Sequence, residues 1–115
     1  MDYKIVVDTR EQKPLWTKNT IVKKLDTGDY SIEGEEEHIT IERKLASDFW
    51  NTMTAGHTRF KKEIASTINQ KYFALVIEDS YTSIKDKAFK GANHTTAKAE
   101  IILKIAFTIH MKYYV

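Results

Sequence analysis

Residues His38 to Arg43 alternate in character. Ile39 and Ile41 fall on one side, and His38, Thr40 and Glu42 on the other. That period of two is the mark of a half-buried β-strand. Side chains two apart on a strand point the same way, so Glu42 and Lys44 share a face at its end. Upstream, Asp26-Thr27-Gly28-Asp29 is a turn signal, and Tyr30 to Glu33 reads as the preceding strand. Gly34, among glutamates, marks a hairpin tip between them, where acids also keep the hairpin end soluble. If the two strands pair, Asp29 reaches the spot where Glu42 and Lys44 converge. Two acids and a lysine around one point can bind a hard divalent cation, hold a phosphate oxygen and steer a water.

The rest of the pattern sets the fold class. Lys4 to Asp8 predicts a buried strand ending on an acid. Thr9 to Asn19, with Pro14, is loop-like. Thr20 to Leu25 fits either a strand or a helical turn. Ala46 or Ser47 to Thr54 predicts a short helix broken by Gly56. Thr58 to Gln70 carries Phe60, Ile64 and Ile68 at helical spacing. Phe73 to Glu78 is a continuous apolar run suited to an internal strand. Thr82 to Phe89 predicts a short helix, and Gly91 and Asn93 mark a loop. Thr95 or Thr96 can cap a final helix with Ile101, Ile105 and Ile109 on one face. That face is either core or dimer surface. Lys112 to Val115 reads as the start of a strand. Strands first, then helices around a further buried strand, predict an α/β or α+β layer with a mixed central β-sheet flanked by α-helices.

The chain has 115 residues, a net charge of +2, one proline and no cysteine. That length suits a single domain with its own core. The absence of cysteine excludes disulfides, a thiolate nucleophile and cysteine-bound zinc. No apolar stretch has the length of a signal peptide or a membrane span. The expectation is a soluble intracellular protein (cytoplasm or nucleoid, or nucleus), not secreted and with no membrane partner. The weak net charge does not announce a polyanionic partner, but the lysines are grouped. Arg59, Lys61 and Lys62 lie together on one predicted helix. Such a group is ordinarily a solvated helix face, and binding a DNA backbone needs nothing more. The four histidines share no metal-ligand spacing.

Gly28-Asp29 followed by Glu42-Arg43-Lys44-Leu45-Ala46-Ser47-Asp48 resembles the GD…ERKxxxD signature of the XPF-type structure-specific endonucleases, which include archaeal Hef. Val7-Asp8-Thr9-Arg10-Glu11 is similar to the family's DxRE segment. Arg59-Phe60-Lys61-Lys62-Glu63 and Phe73 to Glu78 are similar to its next helix and core strand. The resemblance runs in order along essentially the whole chain. It implies a restriction-endonuclease-like core and Mg²⁺- or Mn²⁺-dependent cleavage of DNA near flaps, forks or nicked junctions. It also implies a homodimer or heterodimer, and no small-molecule cofactor. Many relatives carry a helix-hairpin-helix module, which this sequence lacks, and the family runs on through another strand and helix past the last residue here.

On that reading Asp29 and Glu42 are the metal ligands, with the Arg43 carbonyl as a further oxygen. Lys44 places its ammonium near the attacking water or scissile phosphate. Asp8 and Glu11 are second carboxylates for a water, a second ion or Lys44. Asp48 orients Arg43 or Lys44, although an acid in a helix's first turn is favoured there anyway. Arg10 and Arg43 are candidates for phosphate contact, and Arg59, Lys61 and Lys62 for the DNA backbone. An isolated Glu-x-Lys on a strand is ordinarily an exposed ion pair; the accompanying acids favour catalysis. Two alternatives stay open. One is a non-catalytic DNA-binding or scaffold partner of the same fold. The other is a junction resolvase or restriction-type nuclease.

Overall fold

A computed structural model describes residues 2–66 and 70–115. Three short strands come first: β1 (Ile5–Val7), β2 (Thr20–Val22) and β3 (Tyr30–Ile32). Then follow β4 (Ile39–Lys44), α1 (Ala46–Met53), α2 (His57–Ser66) and β5 (Tyr72–Ile77). The chain finishes with α3 (Tyr81–Lys85), a 3₁₀ turn (Ala92–His94) and α4 (Ala99–Tyr113). The five strands form one mixed sheet in the order β2-β1-β3-β4-β5. β1 is parallel to β2 and antiparallel to β3, β3 is antiparallel to β4, and β4 is parallel to β5. The expected mixed sheet flanked by helices is what the chain forms.

Register explains how the two sheet faces divide. Across the β4–β5 pair, Thr40, Glu42 and Lys44 sit beside Phe73, Leu75 and Ile77, so all six share a face. Leu75 and Ile77 pack on a core of Phe49, Trp50, Met53, Phe60, Ile64, Ile102 and Ile109. Each such buried side chain contributes about 1.5–3 kcal/mol relative to exposure. The Glu42–Lys44 face is therefore the helix-covered one. On the other face, the loop after β1 covers Tyr30: Trp16 meets that ring edge-on at 4.9 Å, and the Leu15 N–H donates to its hydroxyl.

Several expectations are corrected. Thr20–Val22 is a strand. β5 lies at the sheet edge, not inside it, pairing with β4 alone among the described residues. Its apolar run reflects one face packed on helices, which does not require a strand on each side. α2 begins at His57; Gln70 lies outside it, and Ile68 lies outside the described residues. α3 stops at Lys85, because Lys87 adopts φ +55°. Neither Thr95 nor Thr96 caps α4, whose N-cap is Lys98 with no side-chain bond. Thr95 instead donates its hydroxyl to the Ala92 carbonyl at 2.6 Å. Ile102 and Ile109 are the buried positions of α4, while Ile101 is 51% exposed. A helix packed on one side buries one flank of a wide isoleucine face. Lys112 and Tyr113 continue the helix rather than starting a strand, and Tyr114 in the left-handed region ends it.

Candidate active site

The turn before β3 brings the first acid to the sheet. Gly28 has φ +75°, a conformation that L side chains rarely adopt. A Cβ there would lie 2.5 Å from Cγ2 of Thr40. Thr40 is buried, its hydroxyl donates to the Gln70 side-chain carbonyl, and it lies 3.3 Å from the Thr27 hydroxyl. This close approach lets the Asp29 N–H donate to the Ile41 carbonyl at 2.9 Å. In return the Arg43 N–H donates to Oδ2 of Asp29 at 2.8 Å. Asp29 is thereby tied to the strand that carries Glu42.

Asp29, Glu42 and Arg10 line one cleft of ≈ 360 Å³, with Thr40 at its side and Glu63 and Ser66 of α2 opposite. Burial pushes the Asp29 carboxyl above its ordinary range; the Arg43 N–H opposes this, and the Glu11 and Asp8 charges reinforce it. Burial also raises the Glu42 carboxyl; Lys44 opposes, and Glu63 and Asp29 reinforce. Two half-buried acids lining one cleft could share a hard cation.

Lys44 lies to one side of this pair. Its Nζ is 4.0 Å from Oε1 of Glu42, a long ion pair. Its side chain lines an adjoining cleft of ≈ 310 Å³ with Asp48, Asn51 and Arg59. Glu42 and Glu63 border both clefts, so Glu42 joins the two compartments. Asp48 is exposed and forms no ion pair with Arg43 or Lys44 among the described residues.

Three expected site residues are engaged elsewhere. Asp8 is 1% exposed and accepts from the Leu25 N–H at 2.8 Å and from Arg10 Nε at 2.6 Å. Burial alone would raise its carboxyl, but these hydrogen bonds and the Arg10 charge hold it below the ordinary range. Glu11 accepts from the Tyr30 hydroxyl at 2.6 Å and pairs with Arg43 at 3.2 Å. The Arg43 guanidinium bonds Glu11, the Lys13 carbonyl and, at 2.5 Å, Glu78. Strand alternation puts it on the loop-covered face, away from Glu42. It is a clamp within the fold there, whereas phosphate contact was the expectation for it. Arg10 keeps an exposed guanidinium at the cleft. Arg59, Lys61 and Lys62 are exposed on α2, and Arg59 lies 3.7 Å from Glu63.

Glu63 and Glu78 also join the site and its support, Glu63 at the cleft and Glu78 on Arg43. Glu63 was hidden inside a basic run; its signal is the stripe Arg59, Glu63, Ser66, which turns one flank of α2 toward β4. Glu78 ends an apolar strand, and nothing local reveals its partner 35 residues earlier. A larger apolar cleft of ≈ 450 Å³ between β5 and α4 contains none of these acids.

No family model and no curated protein matches the sequence. The five-stranded mixed sheet flanked by helices has an XPF-like, restriction-endonuclease-like fold. It is similar to the solved structure of XPF from Aeropyrum pernix in complex with DNA, with a TM-score of 0.67 at 18% identity. The match covers 96% of this chain and 52% of that one, so the chain spans about half the length of that protein.

Proposed function

We propose that this chain is a divalent-metal-dependent DNA endonuclease acting near branch points. The observation that carries the reading is Asp29 and Glu42 sharing one cleft, with Lys44 beside Glu42 and Arg10 at the rim. The similarity to a DNA-bound XPF structure supports nucleic acid as the substrate. The order of the GD…ERKxxxD residues supports branched DNA within that class.

The donor set fits a hard cation. Among the described residues, no three His, Asp or Glu side chains are grouped to enclose an ion. Mg²⁺ needs only one or two carboxylates and completes its shell with water. Asp29 and Glu42 would hold it. When bound, the ion supplies Lewis acidity at the phosphate and acidifies water. Arg10 can contact a phosphate oxygen bidentately, because its exposed fork matches that geometry. Lys44 stabilises the charge that builds up as water oxygen bonds to phosphorus and the ester oxygen departs. Arg43 acts indirectly, through its N–H on Asp29. Dimerisation and an intracellular location belong to the same proposal. A decayed, non-catalytic partner would be expected to have lost Asp29, Glu42 or Lys44, and the sequence retains all three.

The test incubates the protein with flap, splayed-arm, duplex and single-stranded DNA in Mg²⁺, Mn²⁺ or EDTA. Cleavage is expected with either metal, greatest on branched substrates and absent in EDTA. A folded Glu42→Ala protein should be inactive. Cleavage in EDTA, or full activity in that variant, would overturn the assignment.

A further inference from the structure

A second cleft, of ≈ 240 Å³, runs between α2 and α4. Its floor is Ile105 and Ile109, and its rim carries His57 and Lys61 from α2 and Lys104 and Lys112 from α4. No acid lines it. Each of these helices carries one acid. Glu63 of α2 is turned to the opposite flank, toward Glu42 and Arg59. Glu100 stands in the first turn of α4 and pairs with no lysine among the described residues. Lys61, Lys104 and Lys112 likewise form no ion pair among the described residues. Lys112 lies 5.4 Å from the Tyr113 ring centroid.

A lysine in the last turn of a helix complements its dipole. That accounts for Lys112 but not for Lys104 or Lys61. Three unpaired ammonium groups gathered on one cleft repel one another, and an anion relieves that repulsion. The apolar floor lets the lysine stems lie flat with their heads at the rim. Position matters as well. On α2, Arg59 and Glu63 face the candidate active site, His57 and Lys61 face the second cleft, and Lys62 stands on the crest between. A helix is about 10 Å across, so a duplex laid over Glu42 reaches both flanks.

We propose that the α2–α4 cleft, rimmed by His57, Lys61, Lys104 and Lys112, is a second contact surface for the phosphate backbone of nucleic acid, holding a duplex arm whose scissile strand lies over Glu42. The inference rests on the reading of the chain as a DNA endonuclease and adds a binding surface to it.

The experiment measures binding of a fluorescent splayed-arm DNA in EDTA across a salt series. It compares the protein with Lys61→Gln/Lys104→Gln/Lys112→Gln and with Lys18→Gln/Lys85→Gln/Lys90→Gln, which changes net charge equally. Each lysine lost from a phosphate contact should take about 0.9 from the slope of log affinity against log salt. The first triple variant should therefore lose about 2–3 from the slope and roughly tenfold or more in affinity near 0.1 M salt. The second should change little. Equal behaviour of the two overturns the proposal, and so does loss of binding to a polyglutamate peptide with DNA binding intact, which would mark an acidic polypeptide surface. Circular dichroism and the Lys61→Gln and Lys104→Gln single variants separate unfolding from lost contact. Cleavage by the Glu42→Ala protein is scored in parallel. Its persistence would defeat the nuclease reading while leaving the binding result standing.

Discussion

The backbone N–H of Arg43 points at Oδ2 of Asp29 from 2.8 Å away. The same residue sends its guanidinium to Glu78 on the opposite face of the sheet. One position in the strand thus orients an acid in the cleft with its backbone and closes the fold with its side chain.

Asp29 and Glu42 both have raised carboxyl pKa values, led by burial. A raised folded-state value means the native protein holds these protons more tightly than the unfolded chain. Stability from this source falls as pH rises from the ordinary carboxylate range through the folded values, and the full penalty remains at neutrality. Asp29→Asn and Glu42→Gln should each raise the thermal midpoint at pH 7 by about 2–4 °C. Each should also reduce cleavage roughly a hundredfold or more. Calorimetry from pH 4 to 8 beside a cleavage assay checks both effects, and a lowered midpoint at pH 7 would contradict the burial argument.

Asp8 and Arg10 should separate in their effects. Asp8→Ala leaves the buried Leu25 N–H without its acceptor and should cost about 1–3 kcal/mol. The Asp8 carboxyl is held below its ordinary value, so its stabilisation is present above the unfolded pKa and lost as pH falls through the folded one. Arg10→Ala takes a hydrogen bond and a charge from the buried Asp8 carboxylate, so it should destabilise the fold, though less than Asp8→Ala, while weakening DNA binding. Urea titrations and a binding assay on both variants decide it.

Glu78 is held below its ordinary range chiefly by the hydrogen bond from Arg43. Both side chains are about one-fifth exposed, so the pair is worth more than a surface ion pair. Glu78→Ala should destabilise the fold by about 1–3 kcal/mol. Combined with Arg43→Met, which also loses the Glu11 and Lys13 contacts, it should cost less than the sum of the two single variants in a double-mutant cycle. Strict additivity would show that the two do not interact.

Gly28→Ala should destabilise the protein by about 2–4 kcal/mol, combining an unfavourable φ with a clash. The clashing atom is the Thr40 methyl, fixed because the Thr40 hydroxyl is engaged. Thr40→Ser removes that methyl and keeps the hydroxyl. Gly28→Ala/Thr40→Ser should therefore lose less than the sum of the single variants, as chemical denaturation would reveal.

Local pattern was enough to find β1, β3, β4 and α1 to within a residue or two, because alternation, turn residues and helix breakers act over a few neighbours. It failed for the cap of α4 and for the last four residues, where weak local signals yield to the packing of Ile102 and Ile109. The edge position of β5 was not legible either, since an apolar run reports burial of a face and not the number of paired edges.

Sequence alone determined which chemistry was available: acids at 29 and 42, a lysine at 44, and a strand period that gives the last two a common face. Tertiary structure decided how those groups are used. Closure of the loop after β1 committed Glu11 and Arg43 to each other, and burial engaged Asp8 with Leu25 and Arg10. Packing of α2 across β4 brought Glu63 to the cleft. The physical reason is range. Side-chain direction along a strand follows from backbone geometry over two residues, whereas the choice of ion-pair partner depends on segments that meet only when the chain folds.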